Sequence, residues 1–118
     1  MKYLCLMFSD EKACNSMPQN EQEACLKEHQ GYDDELRRSG HLLVTEALQS
    51  VRAAATVRVR NGKLSVTDGP YVETKEQLGG FYLIEAHDLN DAIRVASKNP
   101  SARIGSIELR PIMDRNPQ

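Results

Sequence analysis

Phe81 to Ala86 constrains the fold more than any other segment of the chain. Side chains alternate across a strand, and here Phe81, Leu83 and Glu85 fall on one side while Tyr82, Ile84 and Ala86 fall on the other. A sheet with one wet face would keep one of those rows polar. This segment instead predicts a strand covered on both sides. Tyr3 to Phe8 has the same character, with Tyr3, Cys5 and Met7 set against Leu4, Leu6 and Phe8. Both segments therefore belong near the middle of one sheet.

The residues leading into Phe81 leave no spare length. Asp68-Gly69-Pro70 reads as a stiff reversal, because Asp can bond its own downstream backbone, Gly tolerates unusual dihedrals and Pro fixes φ. Thr74 with Gln77 three residues on predicts a capping box for about one helical turn, closed by a left-handed Gly79, and Gly80 would turn the chain into the strand.

Asn20 reads as the cap of a helix over 21–39, with Glu23 reaching back, Arg37 and Arg38 at the negative end and Gly40 as the stop. Its buried stripe would be Cys25, His29, Tyr32 and Leu36, with Leu26 beside it. Gly31 interrupts that helix at a cost of about 1 kcal/mol relative to Ala, which predicts a close backbone approach there. Ser9 to Gln19 reads as a polar loop, a lid or a connector, and Leu42 to Thr45 as a short strand followed by an irregular connection over 47–55. Asn61-Gly62 predicts a two-residue type I′ hairpin between 56–60 and 63–67, with Val57, Val59, Leu64 and Val66 on its inner side. Asp88 would cap a second helix that buries Leu89, Ala92, Ile93 and Ala96 and ends at Asn99-Pro100; a last strand over 104–110 stops at Pro111, and 114–118 reads as a disordered tail. This order predicts an α+β sandwich, an antiparallel sheet with both helices on one face. Two helices hide one face only, so the other is expected to pack on a second copy, giving a homodimer through the helix-free face.

The run DGPYVETKEQLGGFYLIEA, residues 68–86, resembles the signature of the YCII-related proteins in the branch called DGPF-domain proteins, with Tyr71 where that branch usually has Phe. MKYLCLMF, VRVRNGKLSVTDGP and IGSIELRPIM extend the likeness over nearly the whole chain. The resemblance implies a ferredoxin-like fold in a dimeric, barrel-like α/β assembly. It also implies a functional role for His29, since the wider family carries a histidine at this place on its first helix. The wider family often has Asp just before the proline that ends the second helix; Asn99 stands there and cannot ionise, which weakens any His–Asp pair built on it. Members are associated with extracytoplasmic-function sigma factors as neighbours or fused domains, which implies a possible regulatory partner of that kind.

At 118 residues the chain suits a single domain, and 15 Lys plus Arg against 17 Asp plus Glu leave a net charge of −2, too balanced for a nucleic-acid or anionic-membrane binder. A small polar metabolite or a protein partner fits better. Cys5, Cys14 and Cys25 form no CxxC pair, and their odd number predicts reduced thiols in a cytoplasmic protein. The Tyr3 to Phe8 run is too short for a leader or a membrane span.

An imidazole can serve as general acid or base when a carboxylate or carbonyl orients its second nitrogen, so His29 is the leading catalytic candidate. The same position equally describes a hydrogen-bonded core histidine. Asp68 is the alternative carboxylate, although bonding within its own turn explains it as well, and Asp10 could reach a pocket mouth. Glu73, Lys75, Glu76, Gly79 and Gly80, together with Asp10, are the candidate ligand contacts, because charged side chains and backbone N–H groups crowd together there. No spacing suits a metal, and no GxGxxG, GxxxxGK[ST] or GxSxG motif calls for a cofactor or a serine elbow. Cys25 lies one turn from His29, so a thiol–imidazole pair can be drawn, against the blander reading of an inert buried thiol. Two functions follow: His-mediated proton transfer of isomerase or lyase type on a small molecule, or a non-catalytic regulatory module. A redox sensor using Cys14 ranks below both.

Overall fold

A computed structural model describes residues 1–115. Strand β1 (Lys2–Ser9) leads through a short helix α1 (Glu11–Asn15) to the long helix α2 (Gln19–Ser39) and strand β2 (Leu42–Ala47). A 3-10 turn at Val51–Ala53 precedes the hairpin β3 (Ala55–Arg60) and β4 (Lys63–Asp68), followed by β5 (Gln77–Glu85), α3 (Leu89–Ser97), α4 (Ser101–Ile104) and β6 (Ser106–Pro111). Four strands form one antiparallel sheet in the order β2-β5-β1-β6, so the two segments with apolar residues on both faces occupy its centre. The chain is an α+β protein, and within it the sheet is open rather than closed into a barrel.

The register sets Tyr3 opposite Ile84 and Cys5 opposite Tyr82 on one face. Those four side chains meet Tyr32 and Leu36 of α2 and Ala92 and Val95 of α3 in the buried core. Tyr32 joins both helices to the sheet: its hydroxyl donates to the Val95 carbonyl at 2.8 Å, and its ring meets that of Tyr82 edge-on, centroids 5.4 Å apart. The other face, bearing Leu4, Leu6, Phe8, Phe81 and Leu83, is only half-buried.

The hairpin forms as the Asn61-Gly62 pair demands, with φ of 53° and 74° at those residues. It stands apart as a two-stranded ribbon, and Val57, Val59, Leu64 and Val66 are 58–68% exposed, so the expected inner side is uncovered within the single chain. Gly69 takes the positive φ that its turn requires, 102°.

Several local expectations are corrected. The 9–19 loop contains α1, because the Asp10 carboxylate accepts from the backbone N–H groups of Lys12 and Ala13. Pro18, rather than Asn20, occupies the N-cap of α2. No helical turn forms over 74–78: β5 already begins at Gln77, which pairs with Ser9, and the Gln77 amide donates to the Thr74 and Lys75 carbonyls at 2.7 and 3.3 Å. Gly79 is not left-handed but sits in a bulge, where Met7 faces Gly80 and Phe8 faces Leu78. A Cβ at Gly31 would meet nothing within 4 Å, so no backbone approaches it. In α3 the buried residues are Ala92, Val95 and Ala96, while Leu89 and Ile93 are about half-exposed, which turns the helix face from the one expected. Leu26 is also exposed. The final strand starts at Ser106, after α4 takes up Ile104, and residues 116–118 of the expected tail lie outside the described residues. No helix among the described residues is long and apolar enough to cross a membrane.

Candidate functional site

The face of α2 running from Gln22 to Arg37 roofs a cavity of about 670 Å³ with α1, α4 and the adjoining ends of β1, β2 and β5. Cys25 and His29 are half-buried there, while Tyr32 and Leu36, further along the same stripe, are sealed. His29 lines this cavity. Its Nδ1 lies 3.0 Å from the Cys25 carbonyl oxygen and its Nε2 3.0 Å from the Ser101 hydroxyl. A carbonyl can only accept, so Nδ1 carries a proton, and in the neutral ring Nε2 presents a lone pair.

Asp33, one helical turn beyond His29, lines the same cavity. It accepts a hydrogen bond from the Tyr82 hydroxyl, which reaches across from the sheet. Burial, and then the bond to Asp33, hold the Tyr82 phenol well above its ordinary titration range, so it remains a donor. Opposite, Ser101 opens α4, where its N–H donates to Asn99 Oδ1 at 2.9 Å. Asn99 is 1% exposed and its amide donates to the Met7 sulfur at 3.5 Å. Asn99 makes no hydrogen bond to the imidazole among the described residues, and it fixes the serine that does. An ion pair between Arg103 and Glu28 ties α4 to α2 beside them.

The Cys25 sulfur is 3.7 Å from His29 Nδ1, but burial first, then the nearby Glu28 and Cys14, raise its pKa against the opposing pull of Arg103. A thiol held protonated is a poor nucleophile. Cys5 is sealed in the core and pushed up to about 11 by burial.

The charged crossing is divided rather than gathered into one site. Gly79 alone of the candidate ligand contacts lines the His29 cavity. Asp10 and Lys75 border a second cavity of about 580 Å³, and Glu73 a third of about 350 Å³. Glu76 accepts from the Ser106 hydroxyl at 2.8 Å, and Gly80 is buried where Met7 and the Glu46 carbonyl leave no room for a Cβ. Asp68 is exposed at the end of β4 and lines none of these cavities. Among the described residues no cluster of His, Cys, Asp and Glu is arranged to hold a metal.

Sequence reasoning missed Asp33, Tyr82 and Ser101 as site residues. The spacing of four from His29 to Asp33 was a usable signal, since it places both on one helix face. Tyr82 was visible only as core, and nothing local links Ser101 to a histidine 72 positions away.

The family model described as the YCII-related domain matches residues 1–116. An uncharacterized protein of Rhizobium meliloti (strain 1021) is 36% identical over 116 residues, spanning 95% of this chain and 92% of that one.

Proposed function

The chain belongs to the YCII-related family, and from that premise we propose that it is a homodimeric protein whose His29 cavity binds a small polar organic molecule and performs proton-transfer chemistry on it, of isomerase or lyase type. One observation carries this reading: a histidine ring fixed in a single tautomer by a backbone carbonyl, on the wall of a cavity large enough for a metabolite. The Tyr82–Asp33 pair gives the same wall a phenol oxygen and a carboxylate, acceptors for a substrate's hydroxyl or N–H groups. With β3 and β4 set aside, the order β2-β5-β1-β6 with helices on one face is that of a ferredoxin-like sandwich. In the dimer, the half-buried face bearing Leu6 and Leu83 packs on its counterpart in a second copy.

A thermal-shift screen of organic acids and other small metabolites, run on the wild type and His29→Gln side by side, tests the site. A ligand that raises Tm by several degrees in the wild type and is turned over there, but not by a folded His29→Gln protein, supports the reading. Ligands that shift both proteins equally place binding elsewhere and remove it.

A further inference from the structure

We propose that Ser101 is a nucleophile activated by His29, and that the cavity accepts acyl compounds, namely esters, thioesters or lactones. This rests on the reading of the His29 cavity as a reactive site and goes beyond it, since acyl transfer takes the place of isomerase- or lyase-type chemistry. The ring's Nδ1–H is consumed by the Cys25 carbonyl, so its one basic nitrogen is Nε2, and that nitrogen faces the Ser101 hydroxyl at 3.0 Å. Ser101 has no other side-chain hydrogen bond among the described residues, so its O–H donates to Nε2. Any proton that His29 takes as a base is therefore first the serine's. The arrangement has the working parts of an activated nucleophile: hydroxyl, base, and a third group orienting the base.

A second serine–histidine contact shows what sets this one apart. Ser39 Oγ lies 2.7 Å from His41 Nδ1, and His41 Nε2 lies 3.2 Å from Asp91, but the Ser39 hydroxyl donates to the Leu36 carbonyl at 3.1 Å. There the serine's proton is committed to the helix end, and the group works as a clamp. Ser101 carries no such commitment, lines the 670 Å³ cavity and is held in place by buried Asn99.

In the step itself, Ser101 Oγ bonds to the acyl carbon as its proton passes to His29 Nε2. The carbon–oxygen or carbon–sulfur bond to the leaving group then breaks, and that group departs with the proton from His29. Water, deprotonated by the same nitrogen, then bonds to the acyl carbon, and the carbon–Oγ bond breaks as His29 returns that proton to Ser101, releasing the acid. Asn15, Gln30 and Arg37 line the cavity and carry side-chain N–H groups that can donate to the carbonyl oxygen as it gains charge.

A fluorophosphonate probe, which phosphonylates an activated serine with loss of fluoride, reads the proposal through intact mass and peptide mapping. One adduct on Ser101 is expected in the wild type, absent in Ser101→Ala, slowed on the order of 10²- to 10⁴-fold in His29→Gln and unchanged in Ser39→Ala. No adduct on Ser101 of the folded wild type, or equal labelling rates in the wild type and a folded His29→Gln, overturns it. Mapping on the wild type alone decides the matter if His29→Gln does not fold. A ligand with a His29-dependent thermal shift but no Ser101 labelling removes the nucleophile and leaves the proton-transfer reading standing; failure of both removes both.

Discussion

Gly31 and Gly105 differ in what an added side chain would meet. In the middle of α2, Gly31 is exposed, and an added Cβ would meet nothing within 4 Å. At Gly105, between α4 and β6, the same atom would fall 2.0 Å from the Phe8 carbonyl oxygen, on a residue whose pairing with Ser106 holds β6 to β1. Replacing Gly31 with Ala should therefore stabilise the protein by about 0.5–1 kcal/mol, because the helix then loses less backbone entropy on folding. Gly105→Ala should destabilise it by about 1–3 kcal/mol or more, because backbone rather than a flexible side-chain end must move. Urea unfolding of the two variants measures both, and a gain at Gly105 or a loss at Gly31 would contradict the packing described. The sequence could name both glycines but could not say which one had a neighbour. The site has the same limit: His29 was legible from its helix face and the family likeness, whereas Ser101 depends on α4 being brought against α2.

Elements were readable where their cause was local. The hairpin follows from two residues that both need positive φ, the central strands from side-chain alternation, and the end of α2 from Gly40, whose φ is 81°. The capping box at Thr74 failed because a distant element claims Gln77: its side-chain oxygen accepts from Glu11 N–H at 2.9 Å, while the Glu11 carboxylate takes the Ser50 hydroxyl and the Val51 N–H, both at 2.9 Å. A second such junction joins the start of β2 to α3. Asp91 accepts from the His87 N–H at 3.0 Å and pairs with Arg94 and His41. The His87 N–H above all, with Arg94 and His41 behind it and burial opposing, lowers the Asp91 pKa from 3.8 to about 2. A carboxyl group whose folded pKa is depressed adds stability that is complete above its unfolded pKa and disappears as pH falls through the folded one. The wild type should thus be more stable than Asp91→Asn at pH 6, with the gap in Tm closing between pH 4 and 2. A gap that stays constant over that range would show that ionised Asp91 does not hold the junction.

The single chain is extended for its length. It measures 51 × 47 × 18 Å with a Cα radius of gyration of 16.5 Å, whereas a compact chain of this length has a radius of about 13.5 Å. Its accessible surface is 8777 Å², against roughly 6,400 Å² for a folded monomer of the same mass. On the ribbon Val57, Val59, Leu64 and Val66 are turned to solvent, and the helix-free sheet face is only half-buried. A standard interface buries about 800 Å² on each partner, less than this surplus, and the apolar residues on both faces of β1 and β5 are the reason to test for one. The closing prediction is therefore a change of assembly caused by a change of one residue. The wild type at micromolar concentration should sediment at twice the 13.2 kDa of the chain. Leu6→Glu places a charge in the middle of the helix-free face, opposite Phe81 on the neighbouring strand, and should sediment as the single chain. Leu6 points away from Tyr32 and Leu36, so the variant should keep its far-UV circular dichroism even as it dissociates. A wild type that runs at 13.2 kDa would mean that water rather than a second copy covers the sheet, and that the exposed face costs the fold less than its area implies.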